Sequence, residues 1–325
     1  MSPMMQGIVT VFFGVGGCVA YFWLSNLALD KVFFPPRGPH AGRNINRANV
    51  IRPWLFLLPA LSALGLYLMY PVVGSFVRSL HNRSGDEFVG FDNYSTMFAD
   101  PGFQTAFTNN FLWILFVPAA STFFGLLVAQ LTDQLKWGNI AKSLIFMPMA
   151  ISFVGASLIW KFVYANNADV GLINAIRDMF GAGPIDVLQV GFWNNFFLMI
   201  ILVWIQTGFA MVILSGALRG IPEETVEAAI IDGANPFQVF FKIKVPQIKG
   251  TITVVWTTIT ILVLKVFDIV YTMTGGNFGT DILPSYMMSY MFRDDGRATA
   301  VAFVIMLIVL PVMIWNIRQA RAEMR

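Results

Sequence analysis

Charge, cysteine and histidine are all scarce in this chain. Charged residues make up 12% of its 325 positions, about half the share of roughly 25% found in soluble domains. With 57% hydrophobic residues and 31 Phe, that scarcity excludes an ordinary soluble enzyme and a disordered chain. A single cysteine, Cys18, excludes a disulfide framework and a cysteine-based zinc site. The two histidines, His40 and His81, stand far apart, so no metal site is expected. No G-x-x-x-x-G-K-[ST] phosphate loop occurs, so this chain is not expected to hydrolyse ATP or to hold a cofactor. H-E-x-x-H and G-x-S-x-G are missing as well. The pI is near 9.0, yet so little charge argues for basic membrane loops and against nucleic acid as a partner. What remains is an all-α polytopic membrane protein in a lipid bilayer.

A helix needs about 20 mostly apolar residues to cross a bilayer. Seven stretches qualify: Gly7–Leu29, Trp54–Val77, Phe111–Leu131, Ser143–Trp160, Phe192–Ser215, Thr251–Tyr271 and Ala298–Ile317. The first 29 residues carry no charge. A signal peptide needs a positive n-region, so the first stretch reads as a retained helix. Its Gly14, Gly16 and Gly17 permit close helix contact, or pack loosely against lipid.

Alternate loops differ in charge. Asp30–Pro53, Asp133–Lys142, Gly216–Gly250 and Arg318–Arg325 together hold 14 Lys/Arg, against 6 in Arg78–Asn110, Lys161–Gly191 and Thr272–Arg297. The positive-inside rule makes the first set cytoplasmic, the N-terminus periplasmic and the C-terminus cytoplasmic. The run Phe34-Pro35-Pro36-Arg37-Gly38-Pro39 reads as a boundary. The expected organisation is an accessory helix at 1–30, a basic linker at 31–53, a core at 54–317 and a tail at 318–325. The loop Asn82–Asn110, with Asp86, Glu87, Asp92 and Asp100, reads as an ordered external cap with a short helix near Asn93–Phe98.

Ionisable groups at membrane depth mark functional sites, and the spans offer only Lys265 and Asp268. Three residues apart on one helix, they would share a face. They read either as a local ion pair or as part of a solute or proton path.

The most informative segment is the loop at 221–250, IPEETVEAAIIDGANPFQVFFKIKVPQIKG. Pro222 suits a first helical turn, and Glu223 and Glu224 suit the positive end of its dipole. Asp232-Gly233 ends the helix, with Gly233 at the left-handed position. Asn235-Pro236 opens a second helix. Phe237, Phe240 and Phe241 give that helix one aromatic face, and Pro246 is expected to close it. Glu223 and Glu227 lie one turn apart, a like-charge pair that costs about 0.2–0.5 kcal/mol. Ala228 and Ala229 permit close approach by another backbone. An acidic, small-residue helix end fits a partner groove with basic rims, although a solvated surface helix is the plainer reading.

This segment resembles the EAA loop of binding-protein-dependent ABC importer permeases. Glu227-Ala228-Ala229, Asp232-Gly233-Ala234, Ile243, Val245 and Pro246 fit its pattern, with Val245 where the sugar permeases usually carry Leu. Phe88-Val89-Gly90-Phe91-Asp92-Asn93-Tyr94 resembles the family's G-x-x-N-Y segment. Ile159-Trp160-Lys161, Gly171-Leu172-Ile173-Asn174, Phe267-Asp268 and Thr274-Gly275-Gly276 resemble four further motifs, with Asn277 and Phe278 replacing the usual Gly-Pro. The resemblance covers roughly Pro53–Ile317. It is to the maltose-type carbohydrate permeases, and the run Lys142–Ala150 with the extra first span is most similar to the α-glucoside branch.

The resemblance implies a type I importer core of six helices plus one extra N-terminal transmembrane helix. It implies a second permease subunit, two ATPase subunits carrying ATP and Mg, a periplasmic sugar-binding protein and a carbohydrate substrate in a bacterial inner membrane. Glu223, Glu227, Ala228, Ala229, Asp232, Gly233, Phe237 and Pro246 would then couple ATPase closure to alternating access. Sugars take an aromatic platform and a few polar groups, which Trp204, Gln206 and Phe209 offer, with Thr258 across the pore and Lys265 and Asp268 beyond. The alternative for Trp204 and Phe209 is helix packing. The alternative function is an ion-gradient-driven secondary transporter, although such proteins often show inverted repeats and none is visible here.

Overall fold

The structure, a computed structural model, describes residues 3–38, 41–133 and 135–323. Pro39 and His40 of the linker and Arg325 of the tail lie outside the described residues. Contacts divide the chain into two units, Met1–Gly74 and Ser75–Arg325.

In the first unit, α1 (Pro3–Leu27) runs into a wide π-helical turn, Ala28–Phe33. α2 (Ala41–Leu64) follows, then a second wide turn, Gly65–Met69, and the start of α3 (Tyr70–Ser79). Pro71 lacks the N–H that a regular helical ladder needs, and the wide turn lies just ahead of it. The Tyr21 hydroxyl donates to the Leu55 carbonyl at 2.8 Å, and Phe22 meets Phe56 edge-on at 5.3 Å. Arg52 pairs with Asp30 at 2.7 Å. α2 carries the second half of the expected 31–53 linker into the apolar stretch as one helix.

The second unit continues through α4 (Asp92–Ala99), α5 (Pro101–Thr132), α6 (Gly138–Phe146), α7 (Phe153–Val163), α8 (Leu172–Met179) and α9 (Trp193–Arg219). The 221–250 loop follows with α10 (Glu223–Ile231), α11 (Pro236–Gln238) and α12 (Val245–Gln247). The chain ends with α13 (Lys249–Val263), α14 (Asp268–Met273), α15 (Leu283–Tyr290) and α16 (Asp295–Glu323).

α9 is the axis of this unit. Its Leu198, Ile201, Leu202, Ile205, Met211 and Leu214 are buried in a cluster with Trp113 and Val117 of α5 and Ile259 and Val263 of α13. Lipid tails are as apolar as leucine, so close packing and not burial from water holds such helices together. The approach is tight where residues are small. A Cβ added at Gly125 of α5 would lie 2.4 Å from Ala210 Cβ, and one at Gly208 would lie 2.7 Å from the Ile145 carbonyl oxygen.

Five expected spans are long apolar helices. Two are not straight. The fourth, expected at Ser143–Trp160, is α6 and α7 bent by 106°. Pro148 sits in the tight turn Met147–Ala150, and the Ser152 hydroxyl caps α7 by accepting from Gly155 N–H. The sixth, expected at Thr251–Tyr271, breaks between Val263 and Asp268. Lys265 and Asp268 therefore do not share a helix face, and they form no ion pair among the described residues.

The short helix expected near Asn93–Phe98 is α4. Asn93 donates to the carbonyls of Ser79 and His81 at 2.8 and 2.7 Å, and the Tyr94 hydroxyl lies 2.6 Å from Ser79 Oγ. These bonds explain the Asn-Tyr of the G-x-x-N-Y segment. Asn174 plays a similar part, donating to Ala165 and Ile185 carbonyls and accepting from Ile185 N–H.

Candidate functional site

Gly233 has φ +85°, the left-handed conformation expected of a helix C-terminus. Ala234 N–H donates to the Ala229 carbonyl, and Gly233 N–H to that of Ile230. This nested pair is the Schellman arrangement that satisfies the last carbonyls of a helix. Two residues on, Asn235 Oδ1 accepts from Gln238 N–H while Gln238 Oε1 accepts from Asn235 N–H, both at 2.9 Å. This reciprocal cap starts α11. The loop is thus a helix–turn–helix whose ends are closed by its own residues.

The second helix departs from expectation. A wide π-helical turn, Val239–Lys244, separates α11 from α12. It changes the register, so the three phenylalanines do not form one face. Phe237 and Phe241 are 77% and 61% exposed, Phe240 is half-buried and Val239 is buried. Pro246 does not close the helix. It lies in the first turn of α12, where a missing N–H is tolerated, and the helical path runs on to Gln247.

Glu223, Glu224, Glu227, Ala228, Asp232 and Gly233 are exposed, and Ala229 is half-buried. Beside the acidic end, Ile230 and Ile231 are 58% and 85% exposed. On its other side α10 borders a cavity of about 410 Å³, lined among others by Gln130, Asp133, Arg219, Glu223, Glu227 and Lys244.

Asp133, just past the end of α5, is the centre of a charge cluster missed by sequence reasoning. Its carboxylate accepts from Lys142, from Ser215 at 3.0 Å and from Arg219 Nε at 3.1 Å. Burial pushes the carboxyl up, but the bonds from Lys142, Ser215 and Arg219 and the Lys142 charge hold it below the usual carboxylate range. The helix dipole offers a signal that was available. A carboxylate at a helix C-terminus is disfavoured, so Asp133 needed cations from elsewhere. Those cations are 9 and 86 residues away in the sequence.

The model of the family described as binding-protein-dependent transport system inner membrane component matches residues 121–322. The chain belongs to that family. The match contains the whole EAA loop and both bent spans, and with it the secondary-transporter reading falls away. The permease is 60% identical to the α-glucoside transport system permease protein AglF of Rhizobium meliloti, over 99% of both chains. It is 47% identical to the osmoprotective compounds uptake permease protein GgtC of Synechocystis, over 83% of this chain and 99% of that one. In fold it is similar to a chain of a bacterial alginate ABC transporter solved with an alginate-bound periplasmic protein. The TM-score there is 0.70 at 19% identity, covering 87% of this chain and 98% of that one.

In the permease, the residues expected along a solute path fall in two places. Trp204, Gln206 and Phe209 are on α9. Trp204 packs edge-on against Trp160 at 5.8 Å, and both it and Phe209 lie against the core cluster. Gln206 is 4% exposed, with no side-chain hydrogen bond to any described residue. Thr258 and Lys265 are on exposed surface at α13 and the break after it, and Thr258 returns its hydroxyl to the Val254 carbonyl at 2.7 Å. Asp268 opens α14, partly buried.

Proposed function

We propose that this permease forms, with a second permease subunit, the path of an ATP-driven importer for an α-glucoside or related oligosaccharide. Two ATPase subunits carrying ATP and Mg dock on the EAA loop, and a periplasmic sugar-binding protein delivers the solute. The N-terminus is periplasmic and the C-terminus cytoplasmic, as the excess of Lys/Arg in alternate loops directs. The organisation is an accessory helix at 1–30, a linker at 31–53, a core at 54–317 and a tail at 318–325. Glu223, Glu227, Ala228, Ala229, Asp232, Gly233, Phe237 and Pro246 form or shape the docking surface. Trp204, Gln206, Phe209, Thr258, Lys265 and Asp268 belong to the solute path.

The observation that carries this reading is the EAA loop itself, a preformed helix–turn–helix showing carboxylates, alanines and uncovered Ile231 and Phe237. Such a surface calls for a partner with an apolar floor and basic rims. ATP bound preferentially to the closed ATPase pair would supply the bias between two conformations. The similarity to an α-glucoside permease supports the choice of sugar. The relative named for osmoprotective compounds supports a second reading, a small compatible solute.

The test is uptake by the reconstituted complex, with and without its binding protein, over a panel of α-glucosides and compatible solutes. Gly233→Leu should abolish uptake and weaken ATPase copurification while membrane insertion persists, since a Cβ at positive φ costs roughly 1–2 kcal/mol. Trp204→Ala with Gln206→Ala should lower uptake and leave the ATPase bound. Wild-type transport by Gly233→Leu, or uptake by this chain alone on an ion gradient, would overturn the proposal.

A further inference from the structure

The first unit holds a groove that the transport reading does not use. About 540 Å³ in volume, it is lined by Phe34, Arg43, Asn46, Arg47, Val50 and Ile51. Its walls are tied together. Asn44 of α2 donates to the Pro35 carbonyl at 3.0 Å, and Phe34 N–H donates to the Leu29 carbonyl at 2.8 Å. Asp30 and Arg52 pin the same turn to the same helix.

The arginines along α2 are treated differently according to depth. Arg52 stands two residues before Trp54, where the apolar stretch begins, and Asp30 neutralises it. Arg43 and Arg47 stand one turn apart on one face, exposed, and neither meets a carboxylate among the described residues. At 1.5 Å per residue they lie about 16 and 10 Å along the helix from Trp54. A headgroup layer is about 5–7 Å deep on each side of the hydrocarbon. With the apolar stretch in hydrocarbon, Arg47 therefore stands just beyond that layer and Arg43 farther out, and both approach it from the aqueous side. Trp54 itself is 66% exposed, as suits an aromatic side chain at a membrane interface.

We propose that this groove binds the headgroup of an anionic phospholipid. Arg43 and Arg47 hold the phosphate, arginine being suited to paired donation to phosphate oxygens. Asn46 reaches the glycerol or ester oxygens. Phe34, Val50 and Ile51 cover the start of an acyl chain. A free phosphate would use only the arginine half, and a zwitterionic lipid would place a second cation against them. Clusters of basic residues next to a transmembrane helix recognise anionic lipids by this charge chemistry. On the proposed orientation the groove opens toward the inner leaflet.

The experiment is native mass spectrometry of the full-length permease with its copurifying subunits, delipidated and titrated with phosphatidylglycerol or phosphatidylcholine. Phosphatidylglycerol should bind at least fivefold more tightly. Arg43→Gln with Arg47→Gln should remove that preference, and Val50→Ser, which keeps both charges, should weaken binding two- to threefold. Arg37→Gln, outside the groove, should leave it unchanged. Inorganic phosphate in tenfold excess should not displace the lipid. Equal binding of the two lipids, retention in the double variant, an equal loss in Arg37→Gln, no effect of Val50→Ser, or displacement by phosphate would each overturn the site. Binding in detergent does not depend on sidedness, so a reporter placing Arg43 outside would correct the orientation alone.

Discussion

α5 carries a carboxylate at each end: Asp100 caps its first turn and Asp133 follows its last. Asp100 has the helix dipole in its favour. It accepts from Gly102 N–H at 2.7 Å, from the Tyr286 hydroxyl at 2.9 Å and from Arg297. The Arg297 guanidinium also stacks 4.3 Å above the Tyr290 ring. Phe103, Leu283 and Val301 close over this end with Met97. Asp133 has the dipole against it and is held by cations and one hydroxyl, beside an open cavity shared with Glu223 and Glu227. Asp100 is held by one backbone N–H, one hydroxyl and one cation beside a packed aromatic cluster. Asp133 is held by two cations and one hydroxyl beside a cavity that α10 also lines. On the proposed orientation, the Asp100 end is periplasmic and the Asp133 end cytoplasmic.

Removing Asp133 should break this contrast most severely. Asp133→Ala leaves Lys142 and Arg219 without a carboxylate. Lys142 is 13% exposed and Asp133 19%, so the cost is about 2 kcal/mol, below the roughly 3–5 kcal/mol of a fully buried pair. The thermal midpoint of the solubilised permease should fall, and uptake should fall with it. An unchanged midpoint would remove Asp133 as a structural hub.

Arg297→Ala should cost less, about 1–1.5 kcal/mol, because Gly102 and Tyr286 still serve Asp100. Its expected signature is a lower midpoint with uptake per folded molecule preserved. A variant at the Asp100 end that folds normally and stops transport would show that this end, too, is coupled to transport.

Acid separates the carboxylates by sign. Asp100 is pushed up by burial but held below its ordinary value by Gly102 N–H, Tyr286 and Arg297, and Asp133 behaves alike. Their stabilisation is present above the ordinary carboxylate value and is lost as pH falls through the folded values. Asp281 is the reverse. Burial raises it, with Ser285 and Ile282 N–H only partly offsetting. Its stabilisation is present below the ordinary value and is lost as pH rises through its folded pKa. Asp281→Asn should therefore raise the midpoint at pH 7 and have little effect at pH 3, read by thermal unfolding across pH. A lower midpoint at pH 7 would contradict this. Glu223→Gln should change least. It relieves one like-charge pair, worth about 0.2–0.5 kcal/mol, a difference for chemical denaturation to resolve.

Apolar run length located the helices well because a bilayer imposes a length, but it says nothing about helical continuity. Pro148 followed by Ser152 marked the bend in the fourth span, and Phe267-Asp268 marked the restart in the sixth. Both lay inside stretches apolar enough to read as one continuous span. The EAA loop was legible because its turn chemistry is local: Gly233 needs positive φ, and Asn235 caps a helix three residues from Gln238. The Asp133 cluster was not legible, since Lys142 and Arg219 reach it only after α6 and α9 pack against α5. The wide turn at Val239–Lys244 left no mark in residue type that would separate it from an ordinary helix.

The self-capping of the EAA loop bears on how an assembly would form. Fixing one backbone residue costs about 1–2 kcal/mol of entropy. In this loop, Gly233's turn and the Asn235–Gln238 exchange set that cost against the chain's own hydrogen bonds during folding. An incoming subunit would meet a surface that is already ordered. Its contact energy would go into association instead of into shaping the loop, and small rigid shifts on one side of the junction would be transmitted to the other without being absorbed in between.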